Sequence, residues 1–271
     1  MSSTLIIGRA SQVTRSIMEA LTDVGCPCER VDGDAAALRR LRRQAFDLVI
    51  TDPETTIEED LALLDEMLEV RPSVKAILLA PEATPAEVIA ALRARVYTCL
   101  TAPYDAAEIA DCVARSKRDD SDWRIHIEVL SARPEWVSLR ANCQTLTAER
   151  IVNFLDELHS QVPEALRQDL IQGFRQVLLT AMQTSQAMNE LKVVEVSAVR
   201  TERTLVCHVR DAVSSFHLRK IGHSAASGSS LYTHQLGAKL ADYASLLANG
   251  EVDECISNEM GSEVLLIKHT A

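Results

Sequence analysis

Apolar residues follow two rhythms along this chain, and the change between them falls near its middle. In the first part they come as short solid runs: Thr4–Ile7, Phe46–Thr51 and Val74–Leu79, with a weaker run at Thr98–Thr101. Runs this short cannot make helices and predict buried strands, with Gly8, Gly33 and Pro72 as punctuation between elements. Helical periods fill the gaps over Ile17–Val24, Ala35–Gln44, Glu59–Val70, Pro85–Ala94 and Ala106–Ala114. Strand alternating with helix implies a parallel sheet covered on both faces, an α/β doubly wound arrangement.

The second part reads differently. Strand-like Ile125–Leu130 and Trp136–Leu139 precede two long amphipathic helices. One runs over Ala148–Ser160. The other starts at Pro163, a residue favoured in the first helical turn, and runs to about Ala187 with a stripe of Leu166, Leu170, Phe174, Val177, Leu178, Ala181 and Met182. Strands are then predicted at Lys192–Val199, Thr204–Arg210 and Glu263–His269, and a polar stretch, Ser214–Ser230, precedes a last helix ending near Gly250. This is the order of an α+β sandwich, with helices on one side of a mixed or antiparallel sheet. Seven consecutive polar residues, Ser116–Asp122, mark the break. The expected division is a first domain over 1–116, a linker over 117–122 and a second domain over 123–271.

Composition narrows the function classes. The chain has 271 residues, 47% hydrophobic and 25% charged, a globular balance. Its net charge of -11 argues against nucleic acid as a partner, because phosphate binding needs a basic footprint. No apolar run approaches the length of a membrane helix and no secretory signal opens the chain, so neither membrane nor export is expected. Seven scattered cysteines fit a reduced, cytoplasmic protein with mostly buried thiols. Cys26-Pro27-Cys28 has one residue between thiols, not the two or more of zinc sites, and His208, His217 and His223 lack a carboxylate pattern; no metal is assigned. The acidic run Glu54–Asp65 reads as a solvated loop and helix face, and Ser224–Ser230 as a flexible loop without the Lys and spacing of a phosphate-binding loop.

The element order of 1–116 and the strings FDLVITDPE and CLTAPYD resemble a response-regulator receiver domain, whose fold is flavodoxin-like. The resemblance implies five working positions. Asp52 falls at the phospho-acceptor place. Gly8 and Arg9 stand where an acidic pair would hold Mg²⁺, Ala80 where a hydroxyl belongs, and Ala102 where a Lys belongs. Phosphoryl transfer relies on a cation to neutralise developing charge, which Gly8 cannot bind and Arg9 repels. Arg9 itself either approaches Asp52 and takes over the metal's electrostatic role or faces solvent.

Residues 123–271, with the strings IEVLSARPEWVSLR, RIVNFLDEL, VVEVSAVRTERT and DECISNEMGSEVLLIK, resemble the histidine-kinase-type ATPase domain of anti-sigma factors, in two-domain bacterial proteins that join it to a receiver. That resemblance implies a nucleotide site. Gln176 and Thr180 replace its helical Glu and Asn, the latter a Mg²⁺ ligand. Asp211 keeps the adenine-reading acid, although it also reads simply as a strand end. Val213 and Ser215 replace the glycines that follow, and Asp242 and Ala244 replace a second glycine pair beyond a lid at about His217–Tyr243, expected to be mobile. ATP and Mg²⁺ are therefore not expected as cofactors. The leading expectation is a cytoplasmic bacterial signalling protein that binds a protein partner, such as a sigma factor, an anti-sigma antagonist or a kinase, or forms a homodimer. The alternative is an ATP-dependent serine/threonine kinase of the anti-sigma type, gated by its receiver. A transcription factor is disfavoured, since no helix-turn-helix and no basic stripe follow the receiver-like part.

Overall fold

The computed structural model describes residues 3–118, 123, 126–188, 193–211, 218–220, 244–258 and 263–270. The chain divides into two compact units, Met1–Arg124 and Ile125–Ala271.

In the first unit the elements run β1 (Thr4–Ile7), α1 (Gln12–Asp23), β2 (Cys28–Val31), α2 (Asp34–Arg43), β3 (Leu48–Ile50), α3 (Ile57–Val70), β4 (Lys75–Ala80), α4 (Pro85–Arg93), β5 (Thr98–Thr101) and α5 (Ala106–Arg118). The sheet is parallel throughout, in the order β2-β1-β3-β4-β5. That is the flavodoxin-like doubly wound order. Helix α1 packs with α5, and α3 packs with both α2 and α4, so helices cover both faces. This is why β1 and β3 are buried at every position and read as solid apolar runs. Helix starts are set by caps, which apolar periodicity does not reveal. Ser11 with Thr14 and Thr56 with Glu59 form capping boxes that open α1 and α3 several residues, and two residues, before the periodic stretches begin. Strand β2 escaped the sequence pattern because it is a half-buried edge strand, with Glu29 paired to Arg40 at 2.5 Å.

Trp123 belongs to this unit, not to the start of the second domain. It is buried against Tyr97, with ring centroids 5.5 Å apart. The Lys75 Nζ lies 5.6 Å from the Tyr97 ring centre and 5.9 Å from that of Trp123, while donating to the Ser116 carbonyl. Residues 119–122 of the expected linker lie outside the described residues.

The second unit runs β6 (Ile127–Arg133), β7 (Trp136–Asn142), α6 (Thr145–Leu158), α7 (Glu164–Met188), β8 (Val193–Arg200), β9 (Thr204–Asp211), β10 (Leu218–Lys220), β11 (Glu254–Asn258) and β12 (Glu263–His269). Its sheet is antiparallel, in the order β10-β11-β12-β9-β8-β7-β6. Helix α7 packs on α6 and on β8, β9 and β12. Burial alternates along β12 and along β8 as far as Val199, because one face meets the helices and the other does not. Lys268 faces inward, its ammonium held by Asp169 at 3.1 Å and by the Gly250 carbonyl at 2.6 Å. Six of the seven cysteines are buried, Cys28 is half-buried, and all seven are free thiols. No helix among the described residues is long and apolar enough to cross a membrane.

Candidate functional site

In an open parallel sheet, ligands bind beyond the carboxyl ends of the strands at the point where strand order reverses. Here that point lies between β1 and β3, and just beyond their ends stand Gly8 and, one residue past Thr51, Asp52. The two are in direct apposition. Gly8 has φ +131, and a Cβ built on it would lie 3.1 Å from both Cγ and Oδ1 of Asp52. The sequence therefore needs Gly here twice over, for its backbone angle and for the carboxylate beside it. Asp52 is half-buried, and its Oδ1 accepts from the Glu54 N–H at 3.0 Å. Its carbonyl accepts from the Thr55 hydroxyl at 2.7 Å, and Tyr104 closes the loop from the β5 side by donating to the Pro53 carbonyl at 2.9 Å.

Arg9 faces solvent and forms no ion pair with Asp52, so the reading in which it replaces the metal fails. The local chain explains this. Ser11 caps α1, and the Thr14 hydroxyl donates to the Arg9 carbonyl at 2.8 Å, which fixes the backbone with the side chain outward. A different arginine reaches the switch point. Arg30 of β2 donates to the Gly8 carbonyl at 2.6 Å. Ala80 ends β4 fully buried, and Ala102 is exposed ahead of a cis peptide to Pro103. Neither position offers a hydroxyl or an amine.

One acidic residue was misplaced from the sequence. Asp60, within the acidic run Glu54–Asp65 whose pattern predicts a solvated face, is 2% exposed. Its carboxyl lies 2.7 Å from the Thr55 hydroxyl, whose one proton is shared between this carboxyl and the Asp52 carbonyl, and accepts from the Thr51 hydroxyl, which in turn accepts from the Leu79 N–H at 3.0 Å. Burial pushes its pKa up to about 7, against the pull of the two threonine bonds, and the charges of Asp34 and Asp52 push it further in the same direction. The signal was legible in the spacing. Ile57, Asp60, Leu64 and Met67 share the inward stripe of α3, and Asp60 occupies an apolar position within it. Despite these acids, no cluster of His, Cys, Asp or Glu suited to a metal ion occurs among the described residues.

In the second unit Gln176 and Thr180 lie one turn apart on one side of α7, both half-buried. Asp211 closes β9, a strand α7 packs against, in register with Val194 of β8. Ala244 opens a short helical segment over 244–248. Val213, Ser215, Asp242 and nearly all of the expected lid lie outside the described residues. At these two positions the described helix carries an amide and a hydroxyl, and neither is a carboxylate.

No protein-family model and no curated protein matches this chain. Its N-terminal part is similar to solved receiver domains. A CheY-like response regulator receiver domain protein from Methanospirillum hungatei JF-1 is 18% identical over 46% of this chain and 97% of that one, with a TM-score of 0.40. A response regulator from Thermotoga maritima is 22% identical over 44% of this chain and 100% of that one, also at 0.40. A response regulator protein from Burkholderia pseudomallei, solved with a phosphorylated aspartic acid, calcium ion and citrate, is 15% identical over 44% of this chain and 70% of that one, at 0.38. The fold of the first unit follows from its own strand order and register, which these likenesses accompany.

Proposed function

We propose that this chain is a signal-transduction protein that acts by binding other proteins, with a receiver-type unit and a histidine-kinase-ATPase-type unit that no longer perform the chemistry of those folds. The observation that carries the reading is the switch point itself. Asp52 stands against a glycine whose carbonyl is occupied by Arg30, with Ala80 and Ala102 at the neighbouring strand ends. A lone carboxylate in that setting has nothing to neutralise a transferring phosphoryl group. In the second unit, Gln176 and Thr180 support the same direction: a nucleotide triphosphate would bring its charge without a well-held cation. Partners of the expected kind are sigma factors, their antagonists or kinases, recognised through binding energy alone. Regulation would then depend on a partner's differential affinity for two conformations.

The test has two arms on the full chain. Incubation with acetyl phosphate and Mg²⁺ is expected to leave the intact mass unchanged; a gain of one phosphoryl group that disappears in Asp52→Asn overturns the receiver half. Calorimetric titration with ATP and Mg²⁺ is expected to show no saturable binding in the micromolar range. Micromolar binding lost in Asp211→Ala would instead favour the receiver-gated kinase.

A further inference from the structure

The face of the second sheet turned away from α6 and α7 carries a pattern that pairs with itself. Cross-strand register places Arg133, Trp136, Val199, Val206, Ile267 and Glu254 in one row across β6, β7, β8, β9, β12 and β11. The row is basic at one end, apolar through four strands and acidic at the other. A second row, near the other end of the strands, reads Glu128, Arg140, Glu195, Arg210 and Glu263, alternating in sign across β6 to β12. All these side chains are half-buried or exposed, while Val137, Leu139, Val196, Cys207, Val209 and Leu266, which alternate with them along the four central strands, are buried. Trp136 is 55% exposed, and with Leu130 of the β6 bulge it makes up the exposed large apolar side chains of this unit among the described residues.

We propose that this face is the docking surface for a second copy of the chain, related by a two-fold axis parallel to the strands and passing between β8 and β9. That operation places β8 on the other copy's β9, β7 on its β12 and β6 on its β11. In the first row, Trp136 then meets Ile267, Val199 meets Val206, and Arg133 meets Glu254. In the second row, Glu195 meets Arg210 and Arg140 meets Glu263. Every charge opposite another charge meets one of opposite sign, and every apolar residue of the first row meets an apolar one, although no one strand has a sequence that suggests it. The row between fits by size: Ser138 and Ser131 come opposite Leu265 and Ile256, so small side chains leave room for large ones. A two-fold interface demands this kind of self-complementarity, in which each contact occurs twice. Face-to-face sheets pack with strands within about 30° of each other, which preserves the correspondence near the axis. Six strands at about 4.8 Å spacing give a patch roughly 24 Å wide, at the small end of specific interfaces, so association in the micromolar range is expected.

Arg140 and Glu263 supply the test, because they are three strand steps apart in one chain, about 14 Å, and cannot pair with each other within it, where Arg140 instead pairs with Glu195 at 3.0 Å and Glu128 at 3.3 Å and Glu263 meets His208 at 2.9 Å. Sedimentation velocity of the full chain is expected to show a concentration-dependent monomer–dimer equilibrium. Arg140→Glu alone and Glu263→Arg alone each create two like-charge contacts per dimer, and each is expected to weaken self-association by roughly a hundredfold. An equimolar mixture of the two variants is expected to dimerise again, since substituted side chains meet at one contact and native ones at the other. Trp136→Glu, at an exposed position that leaves the fold intact by circular dichroism, is expected to be monomeric. A wild-type chain that stays monomeric up to high micromolar concentration overturns the proposal. So does a dimer that survives Trp136→Glu, or a mixture of two folded variants that does not recover.

Discussion

The two sheets of this chain are buried in different ways. In the first unit helices close both faces, so β1 and β3 expose nothing and polar groups gather at the strand ends. In the second unit helices close one face, and the other displays Trp136, Val199, Val206 and Ile267 in one row ended by Arg133 and Glu254. A doubly covered sheet can act only from its edge, where the loops turn; a singly covered sheet can act from its whole surface. The chemistry of the first unit is thus concentrated at Gly8, Asp52 and Asp60, and the recognition potential of the second is spread over six strands.

The two tryptophans give the largest test of that contrast. Trp123 is 2% exposed in the core of the first unit, against Tyr97 and under Lys75. Trp123→Ala is expected to cost the first unit about 3–5 kcal/mol, the range for removing a large aromatic from a packed core. Trp136→Ala, on the open face, is expected to change the monomer's stability by less than about 0.5 kcal/mol. Denaturant unfolding of each variant checks both values, and similar losses for the two would erase the distinction between a closed and an open sheet.

A second test is the opposite pH dependence that two buried groups confer. Asp60 titrates at about 7 when folded, above its ordinary 3.8, because burial disfavours its charge. The folded state keeps a proton the unfolded chain has lost, so its contribution is fully present below about 4 and disappears as pH rises through 7. His159, at the end of α6, bonds through Nδ1 to the Leu155 carbonyl at 2.7 Å; burial lowers its pKa from 6.5 to about 4. Its contribution is present above about 6.5 and is lost as pH falls through 4. Between pH 4 and 6.5 the first unit should therefore lose stability with rising pH on account of Asp60, and the second should gain on account of His159. Each slope approaches about 1.4 kcal/mol per pH unit at most. Asp156 in the second unit is raised by burial and works against His159, so the measurement is the difference between wild type and Asp60→Asn or His159→Gln across the window. A variant profile parallel to that of the wild type would remove the corresponding residue from the account.

What could be read from the sequence follows the same division. Solid runs marked β1, β3 and β4 and a weaker run marked β5, because double burial leaves few polar residues in a strand. The edge strand β2 was invisible because Glu29 and Arg30 suit an edge. In the second unit β6, β7, β8, β9 and β12 fall on predicted strands, whereas β10 and β11 were missed, β10 being three residues within a stretch read as polar and β11 a short run, Glu254–Asn258, followed directly by polar sequence. Asp52 and Gly8 were singled out by the resemblance to receiver domains, and the structure brings the two together, but their partners were not foreseen. Arg30 and Asp60 arrive from β2 and α3, and the sequence does not state which side chain a turn aims at its neighbour. Arg9 was adjacent in sequence to the site and turned away from it, while Arg30, 22 residues from Gly8, reached it.

Glycine provides the smallest test and separates two causes that the switch point combines. Gly8 and Gly250 both have positive φ, at +131 and +74. A Cβ on Gly250 meets nothing within 4 Å, so Gly250→Ala measures backbone strain alone, about 1–2 kcal/mol in the second unit. A Cβ on Gly8 meets the same class of strain and also the Asp52 carboxyl at 3.1 Å, closer than ordinary contact. Gly8→Ala is therefore expected to cost more than Gly250→Ala. Asp52→Ala removes the carboxyl while leaving the Gly8 backbone angle as it is, so in that background Gly8→Ala should cost less than in wild type. The coupling between the two sites should be about 0.5–1.5 kcal/mol, typical of residues in direct contact. A cycle in which the two costs simply add would mean that the loop around Asp52 yields freely to a methyl group, and that the apposition of Gly8 and Asp52 constrains neither residue.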